Sequence, residues 1–213
     1  MFKKTVFLAL VIVAILLLQS VYAEGDNIRL PVPDTKGGKP LMEALNERKS
    51  ERDFSPEPLQ ENILSDLLWA AAGINRPESG LRTSPTARNC QEIDIYVALV
   101  SGLYIYEPKA NSLIKISSTD IRQATGKQPF VKDAPVNLIF VLDKNKAANL
   151  GDKADFYAAC DTGYISQNVY LYCASAGLAT VARGWFDEKE LSSAMGLGED
   201  KKIVLTQTVG YRK

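Results

Sequence analysis

The stretch "IDIYVALVSGLYIYEP", residues 93–108, is the clearest indication of fold class in this chain. Its two halves are rich in β-branched and aromatic residues, and Ser101-Gly102 joins them. Such residues favour strands, and a short connection of this kind is typical of a hairpin. The sequence therefore predicts two antiparallel strands near the middle of the chain.

Further strands and helices lie on both sides of this hairpin. Three more segments are predicted strands: "SLIKI" (112–116), "APVNLIFVLD" (134–143) and "KKIVLTQTVGYRK" (201–213). Apolar spacing and capping residues predict helices at 40–48, 59–77 with a stop at Gly73, 118–126, 153–175 and 187–196. Residues 78–92 are predicted to be a polar loop. Because helices and strands do not alternate regularly, we predict an α+β fold with largely antiparallel strands rather than a doubly wound sheet.

The first 23 residues have the three parts of a secretory signal peptide. Lys3 and Lys4 precede an apolar run from Thr5 to Leu18, and Val21-Tyr22-Ala23 offers small residues at a cleavage site. The run is short for a membrane span, which needs about 20 residues. An uncleaved N-terminal anchor is the alternative, and it would be the chain's only contact with a membrane. We therefore expect an exported protein, periplasmic or extracellular.

The rest of the chain is long enough for one domain with its own core. Residues 24–39 are rich in Pro and Gly and are predicted to form an extended arm outside that core. Residues 40–213 are predicted to form the folded domain. The helix at 153–175 is apolar on more than one side, which is typical of a central helix or of a helix at a subunit contact.

The composition excludes several kinds of function. The chain has 25 Lys and Arg against 25 Asp and Glu, and it has no histidine. Without a net positive charge, no general attraction to nucleic acid is expected. Without histidine, Ser-His-Asp and Cys-His catalysis and His-based metal sites are excluded. No glycine motif for a dinucleotide or a P-loop is present either.

The three cysteines are predicted to be buried free thiols. Cys160 and Cys173 fall in one predicted helix, so about 20 Å separates them. A disulfide needs Cα atoms within about 7 Å, so this pair cannot form one. The odd number leaves at least one thiol, whether Cys90 or another, unpaired within the chain.

A cationic cluster follows the first predicted helix, in "ALNERKSERDF" (44–54). Arg48, Lys49 and Arg52 surround Ser50. Guanidinium, ammonium and hydroxyl groups together are well suited to bind a phosphate. The alternative is that the cations only balance the helix dipole, which contributes roughly 0.3–1 kcal/mol each.

Two further segments have features of a ligand site. "RTSPTARNCQ" (82–91) combines a proline turn, small residues and the amide of Asn89. "GLATVARGWFD" (177–187) turns sharply at Gly184, where a backbone N–H can donate to a flat ligand without steric obstruction.

In this order and spacing, the three segments resemble the nitroreductase-like flavoprotein superfamily. Residues 44–97 are similar to that family's R-x-S-x-R type segment, helix and PSxxN-type loop. The added strands between 103 and 141 are similar to the subgroup that contains flavin dehydrogenases acting on azoline rings in modified peptides. The resemblance covers about residues 40–213. It implies an antiparallel sheet flanked by helices, in an intertwined homodimer with FMN at the subunit interface.

The resemblance also assigns contacts to FMN by matching position. The phosphate and ribityl chain are expected to contact Arg48, Lys49, Ser50 and Arg52, with Arg212 as a further phosphate contact. The ring and its polar edge are expected to lie along Ser84, Pro85, Thr86, Ala87 and Asn89. The Gly184 N–H is expected to face flavin N5, with Arg183 beside it. Two positions depart from the family: Ser84-Pro85 reverses the usual Pro-Ser order, and Arg183 replaces a common acid.

The resemblance implies an FMN-dependent oxidoreductase. FMN would accept a hydride or two electrons from a donor and pass them on, in alternating half-reactions, with a small or peptide-derived substrate. NAD(P)H is cytosolic, so export leaves the electron donor unknown. The alternative is an exported flavin-binding or interaction module without turnover. The lack of an evident acid or base and the presence of Arg183 are consistent with that alternative.

Overall fold

The computed structural model describes residues 27–213, and the predicted signal peptide lies outside the described residues. Within this range the chain forms four α-helices, a seven-stranded sheet and a separate two-stranded hairpin. The helices are α1 (Leu41–Glu47), α2 (Glu61–Ala72), α3 (Ala154–Ala176) and α4 (Glu188–Met195). The strands of the large sheet are β1 (Ile28–Arg29), β4 (Ile93–Leu99), β5 (Gly102–Glu107), β6 (Ser112–Ser117), β7 (Val136–Asp143), β8 (Leu178–Arg183) and β9 (Lys201–Tyr211). The hairpin consists of β2 (Ile74–Arg76) and β3 (Leu81–Arg82).

The large sheet has the order β1-β6-β5-β4-β7-β9-β8, and every neighbouring pair is antiparallel. This confirms the predicted α+β class. The predicted hairpin joins β4 to β5, with Leu99 opposite Gly102. Gly102 has φ +135°, and a Cβ there would lie 2.1 Å from the Ser117 carbonyl oxygen. Glycine is therefore required at the start of β5.

Strand β7 lies inside the sheet between β4 and β9, and all eight of its residues are buried. Leu138 and Phe140 pack on the face covered by α2 and α3. Ile139 and Val141 pack on the opposite face, against Leu191 of α4. Because side chains alternate along a strand, this continuous apolar run places one core on each face of the sheet.

Helix α3 is the longest helix among the described residues, and it ends at Gly177, whose φ is +72°. The helix predicted at 153–175 is thus confirmed. One side packs on the sheet through Val169 and Cys173. The opposite side leaves Phe156 65% and Tyr164 50% exposed. In the part of the chain from residue 27 onward, no helix is both long and apolar enough to cross a membrane.

Some local predictions are wrong. Residues 74–76 and 81–82 form the small hairpin, which was not predicted, although the helix predicted within 59–77 ends before Gly73 as expected. The helix predicted to end near Gly126 is only a 3₁₀ turn, Arg122–Thr125. Strand β8 was not predicted, because its short alanine-containing run becomes a strand only by pairing with β9. The cysteines are free, although only Cys173 is fully buried.

The described part of the N-terminal arm is attached to the domain. Strand β1 pairs with β6, and Leu30 lies in the same core as α2 and α3. The Asp34 N–H donates to Asp66 at 2.8 Å, and the Lys39 N–H donates to Ser175 at 2.7 Å. The expectation that this segment lies outside the core is therefore wrong at Leu30, because an apolar side chain beside a sheet edge is stabilised by burial.

Candidate functional site

The cationic segment leaves α1 at Arg48 and runs along the β8 edge of the sheet. The Glu51 N–H donates to the Thr180 carbonyl at 3.0 Å, and Phe54 forms a β-bridge with Arg212. These backbone contacts hold residues 48–54 against the ends of β8 and β9. The segment therefore has a defined position although it has no regular secondary structure of its own.

Tyr170 of α3 organises the first part of this segment. Its hydroxyl lies 2.9 Å from Ser50 Oγ and accepts from the Ala182 N–H at 2.9 Å. The Arg48 guanidinium lies 5.3 Å from the centroid of the Tyr170 ring, a cation–π distance. Because the Tyr170 oxygen already accepts from Ala182, its hydrogen is available to Ser50. The Ser50 hydroxyl can then donate its own hydrogen to a ligand.

Glu51 brings two further cations together. Its carboxylate pairs with Lys49 at 3.2 Å and with Arg212 Nε at 3.0 Å. Arg212 is 161 residues away in sequence, so only the fold joins it to the cluster. The Glu47 carboxylate also attracts Arg212 and Lys49, so Glu47 and Glu51 partly balance the positive charge of Arg48, Lys49 and Arg212.

Arg52 lies apart from the other cations. It lines a cavity of about 280 Å³ with Phe54, Phe130, Asp133 and Lys213. It shares no ion pair with Glu51 among residues 27–213. The structure therefore brings Arg48, Lys49, Ser50 and Arg212 together but places Arg52 away from them, beside this cavity.

The loop 84–91 contacts α3 at a second position. The Ala87 N–H donates to Asp161 Oδ2 at 2.8 Å, and Thr86 Oγ1 accepts from the Gln91 N–H at 3.1 Å. The Asn89 side-chain oxygen accepts from Gln91 Nε2 at 3.1 Å. Ser84 is buried at the start of the loop, whereas Pro85 and Asn89 are exposed. Pro85 and Asn89 are thus open to a ligand.

Two buried carboxyl groups lie beneath this loop, and sequence reasoning missed both. Glu92 is 0% exposed and Asp161 is 2% exposed. Burial raises the pKa of the Glu92 carboxyl to about 7, and the neighbouring Asp161 adds to this effect. The only sign of this buried pair in the local sequence is that an acidic residue, Glu92, follows the loop. Its pairing with a residue of α3 could not be read from the sequence.

Gly184 and Arg183 face different surroundings. Gly184 is exposed, and a Cβ there would meet no atom of the described chain within 4 Å. Arg183 is buried and donates to the Thr125 carbonyl at 2.7 Å and to Asn137 Oδ1 at 2.9 Å. Burial lowers the pKa of Arg183 to about 10. The Arg183 side chain therefore occupies the interior, while the Gly184 backbone is open.

The three segments form two groups within one chain. Ser50 and Ala182 share Tyr170, and Ala182 is two residues, or about 7 Å, from Gly184. Asp161, which holds the loop, precedes Tyr170 by nine residues, or about 14 Å along the helix axis. The cationic segment and Gly184 are therefore close together, and the loop 84–91 lies further along α3.

Comparisons with known proteins show the family to which this chain is similar. The model of the nitroreductase family matches residues 45–211. A nitroreductase-type protein of Methanocaldococcus jannaschii is 31% identical over 186 residues, which cover 82% of this chain and 93% of that protein. A crystal structure of a nitroreductase-type protein from Ralstonia eutropha JMP134 shares 43% identity with a TM-score of 0.84, covering 88% of this chain and 90% of that one.

The azoline-type subgroup was predicted from the sequence, and a more distant solved structure is relevant only to the fold. The E. coli microcin synthetase McbBCD complex shares 16% identity with a TM-score of 0.69, covering 86% of this chain and 78% of that one. At this identity the likeness shows the fold alone. Membership of that subgroup therefore stays a prediction.

Proposed function

This chain belongs to the nitroreductase family of oxidoreductases, and we propose that it uses FMN as its redox cofactor. The observation that carries the proposal is the group formed by Arg48, Ser50 and Tyr170, which lies close to the open backbone at Gly184. An anion-binding group and an unobstructed N–H donor are what the two ends of a flavin nucleotide require.

The residues present fit the phosphate end of FMN. Arg48 is oriented by the Tyr170 ring, and Ser50 has a hydroxyl hydrogen to donate. Lys49 and Arg212 are held in place by Glu51 and add positive charge. A phosphate dianion would gain charge-assisted hydrogen bonds from this set. When bound, FMN supplies the two-electron chemistry.

The residues present also fit the ring end. Gly184 leaves open space beside its backbone, so its N–H can approach a flat ring system. The loop 84–91 offers the amide of Asn89 and backbone groups for the polar edge of the ring. Trp185, which is exposed next to Gly184, is positioned to exclude water from one face of a bound ring.

The proposal includes a homodimer. Proteins of this family often form homodimers, and the exposed side of α3 presents Phe156 and Tyr164 to solvent. Antiparallel packing of two α3 helices would cover these side chains. It would also bring the loop 84–91 of the partner subunit towards the Tyr170 end of this one. The two groups of site residues would then complete one site across the interface.

The sequence alone is the basis for three further parts of the proposal, namely export of the protein, the kind of electron donor and the class of substrate. The first 23 residues have the pattern of a secretory signal peptide. An exported member would depend on a donor other than NAD(P)H and would act on a small or peptide-derived substrate. The competing function is a flavin-binding module without turnover. It is favoured by the interior position of Arg183, where the family commonly has an acid.

The test begins with the mature chain, purified and incubated with FMN. Visible absorbance and gel filtration should show a yellow protein that retains its flavin. Anaerobic stopped-flow mixing with candidate donors, followed by an oxidised acceptor, then measures reduction and reoxidation. Turnover supports the oxidoreductase, and bound flavin that no donor reduces supports the module. A colourless protein after incubation would overturn FMN binding.

A further inference from the structure

The most unusual polar group outside the cationic cluster is the buried pair Glu92 and Asp161. Glu92 immediately precedes β4, and Asp161 belongs to α3. Both side chains are buried, and Asp161 is close enough to raise the pKa of the Glu92 carboxyl. Among residues 27–213, neither carboxyl oxygen of Glu92 accepts a hydrogen bond from another residue, and its own backbone N–H lies near enough to lower its pKa. A buried carboxyl group without a donor from another residue is costly, so a proton between the two groups is the simplest way to satisfy it.

Asp161 holds a strained loop. Its Oδ2 accepts from the Ala87 N–H at 2.8 Å. The next residues include Arg88, Asn89 and Gln91, whose φ angles are 51°, 54° and 50°. Residues other than glycine in this left-handed region cost free energy and persist only where their surroundings hold them. The Asp161 contact is the bond that joins this loop to α3, and Arg88 and Gln91 hold it elsewhere by donating to the carbonyls of Asn149 at 2.7 Å and Gly80 at 3.0 Å.

The charges around the pair favour one shared proton. Asp161 faces Glu92 from α3, and Arg82 faces it from β3. Arg82 does not form an ion pair with either carboxyl within the described chain, and its Nε is itself buried without a partner. Two carboxylates in contact in a buried site cannot both be ionised without strong repulsion. Burial and the Asp161 charge accordingly raise the pKa of Glu92.

We propose that Glu92 and Asp161 share one proton and act as a positioning pair that holds the loop 84–91 in its ligand-binding shape. The proton joins the two carboxyl groups, and Asp161 Oδ2 continues to accept from Ala87. Loss of the proton creates two like charges in contact, which moves Asp161 and loosens the loop at Ala87, where Asp161 holds it. The inference rests on the proposed function in one respect only, namely that this loop lies along the flavin ring.

Hydrogen exchange of the wild-type chain without FMN tests the pair directly. The peptide that spans 84–91 is followed by mass spectrometry between pH about 6 and about 9, and rates are corrected for the intrinsic effect of pH. The protection of this peptide should fall as pH rises through about 7, while the peptide from β7 keeps its protection. Protection of the loop that does not change with pH would overturn the inference.

Glu92→Gln supplies the matched variant. The glutamine amide donates to Asp161 as the protonated acid does, but it does not titrate. Loop protection should then be high and independent of pH. Glu78→Gln, in the exposed turn between β2 and β3, serves as the control and should keep the wild-type pH dependence. If Glu92→Gln retains that dependence, another group titrates and the inference fails.

FMN binding is the second measurement. The phosphate of FMN also titrates near pH 6. This affects the wild-type protein and Glu92→Gln equally, so it cancels in the ratio of their dissociation constants. The ratio of the wild-type to the Glu92→Gln dissociation constant should be near one at low pH. It should rise to about tenfold above pH 8, which corresponds to about one unit of pKa coupling.

The outcomes separate the inference from the proposed function. Loop protection that follows pH in a protein that binds no FMN would support the pair and contradict the cofactor. A protein that binds FMN but whose loop protection does not change with pH would support the cofactor and contradict the shared proton. If Glu92→Gln fails to fold, the wild-type exchange profile decides alone.

Discussion

At the scale of single residues, Tyr170 explains how an irregular segment acquires the order that the proposed binding surface needs. Its ring fixes the direction of Arg48, and its hydroxyl joins Ser50 to the backbone of β8. A free arginine side chain has about 2 kcal/mol of rotamer entropy to lose. A guanidinium already oriented on a ring loses less of this entropy when a ligand arrives. The pre-organised Arg48 is therefore the cation expected to contribute most to phosphate binding.

Arg48→Ala should weaken FMN binding roughly ten- to a hundred-fold, because a hydrogen bond to a charged group contributes about 1.5–3 kcal/mol. Fluorescence titration of the purified protein measures the dissociation constant. The matched control is Arg29→Ala, an exposed arginine of β1 at the opposite edge of the sheet. Equal weakening by both variants would mean that only net charge is involved.

Tyr170→Phe isolates the hydroxyl from the ring. The ring still stacks under Arg48, but the Ala182 N–H loses its acceptor and Ser50 loses its partner. We expect FMN binding to weaken by several-fold, less than with Arg48→Ala, since a neutral hydrogen bond contributes about 1 kcal/mol. FMN titration of Tyr170→Phe measures the dissociation constant. Tyr157→Phe, whose ring is half-buried on the same helix, is the control variant. A larger loss than with Arg48→Ala would contradict this ranking.

At the scale of elements, the β4–β5 hairpin depends on one glycine. Gly102→Ala places a Cβ against the Ser117 carbonyl, at a φ that side chains rarely adopt. We expect a loss of about 1–3 kcal/mol in the free energy of unfolding, the usual cost of such strain. Urea unfolding followed by circular dichroism measures it. Val100→Ala, at an exposed neighbour in the same turn, should change the stability by less than about 0.5 kcal/mol. A similar stability for both variants would show that the turn relaxes freely.

At the scale of the whole molecule, the unpartnered side of α3 is the feature that requires an explanation. An apolar stripe containing Phe156 and Tyr164 on the central helix is unusual for an isolated protomer. A dimer through this stripe would also join the two groups of site residues. Dimerisation and cofactor binding should therefore be lost together.

Tyr164→Glu tests this coupling. Two-fold packing would bring the new carboxylates close to each other, and like charges in a buried contact are costly. We expect a monomer by analytical ultracentrifugation and at least tenfold weaker FMN binding. Ile116→Glu, an exposed apolar position on β6 near the other edge of the sheet, is the control and should remain dimeric. A Tyr164→Glu monomer with wild-type FMN affinity would show that each subunit has a complete site.

Much of the fold was predictable because it depends on short-range patterns. The strand β7, the long helix α3 and the hairpin β4–β5 follow from residues close together in sequence. The missed elements depend on distant partners instead. Strand β8 exists because β9 pairs with it, and the turn at Arg122–Thr125 is too short for its sequence to distinguish it from an α-helix. The family resemblance was likewise readable, and the comparisons confirm it.

The sequence by itself determined the α+β class, the position of most elements and the segments from which a site could be built. Periodicity and capping act over a few residues, so they are visible without the fold. Only the tertiary structure decided which of those residues meet. Ser50 and Tyr170 are 120 residues apart, and Ala87 and Asp161 are 74 apart. Such contacts arise when helix α3 packs on the sheet, and no local pattern records that packing.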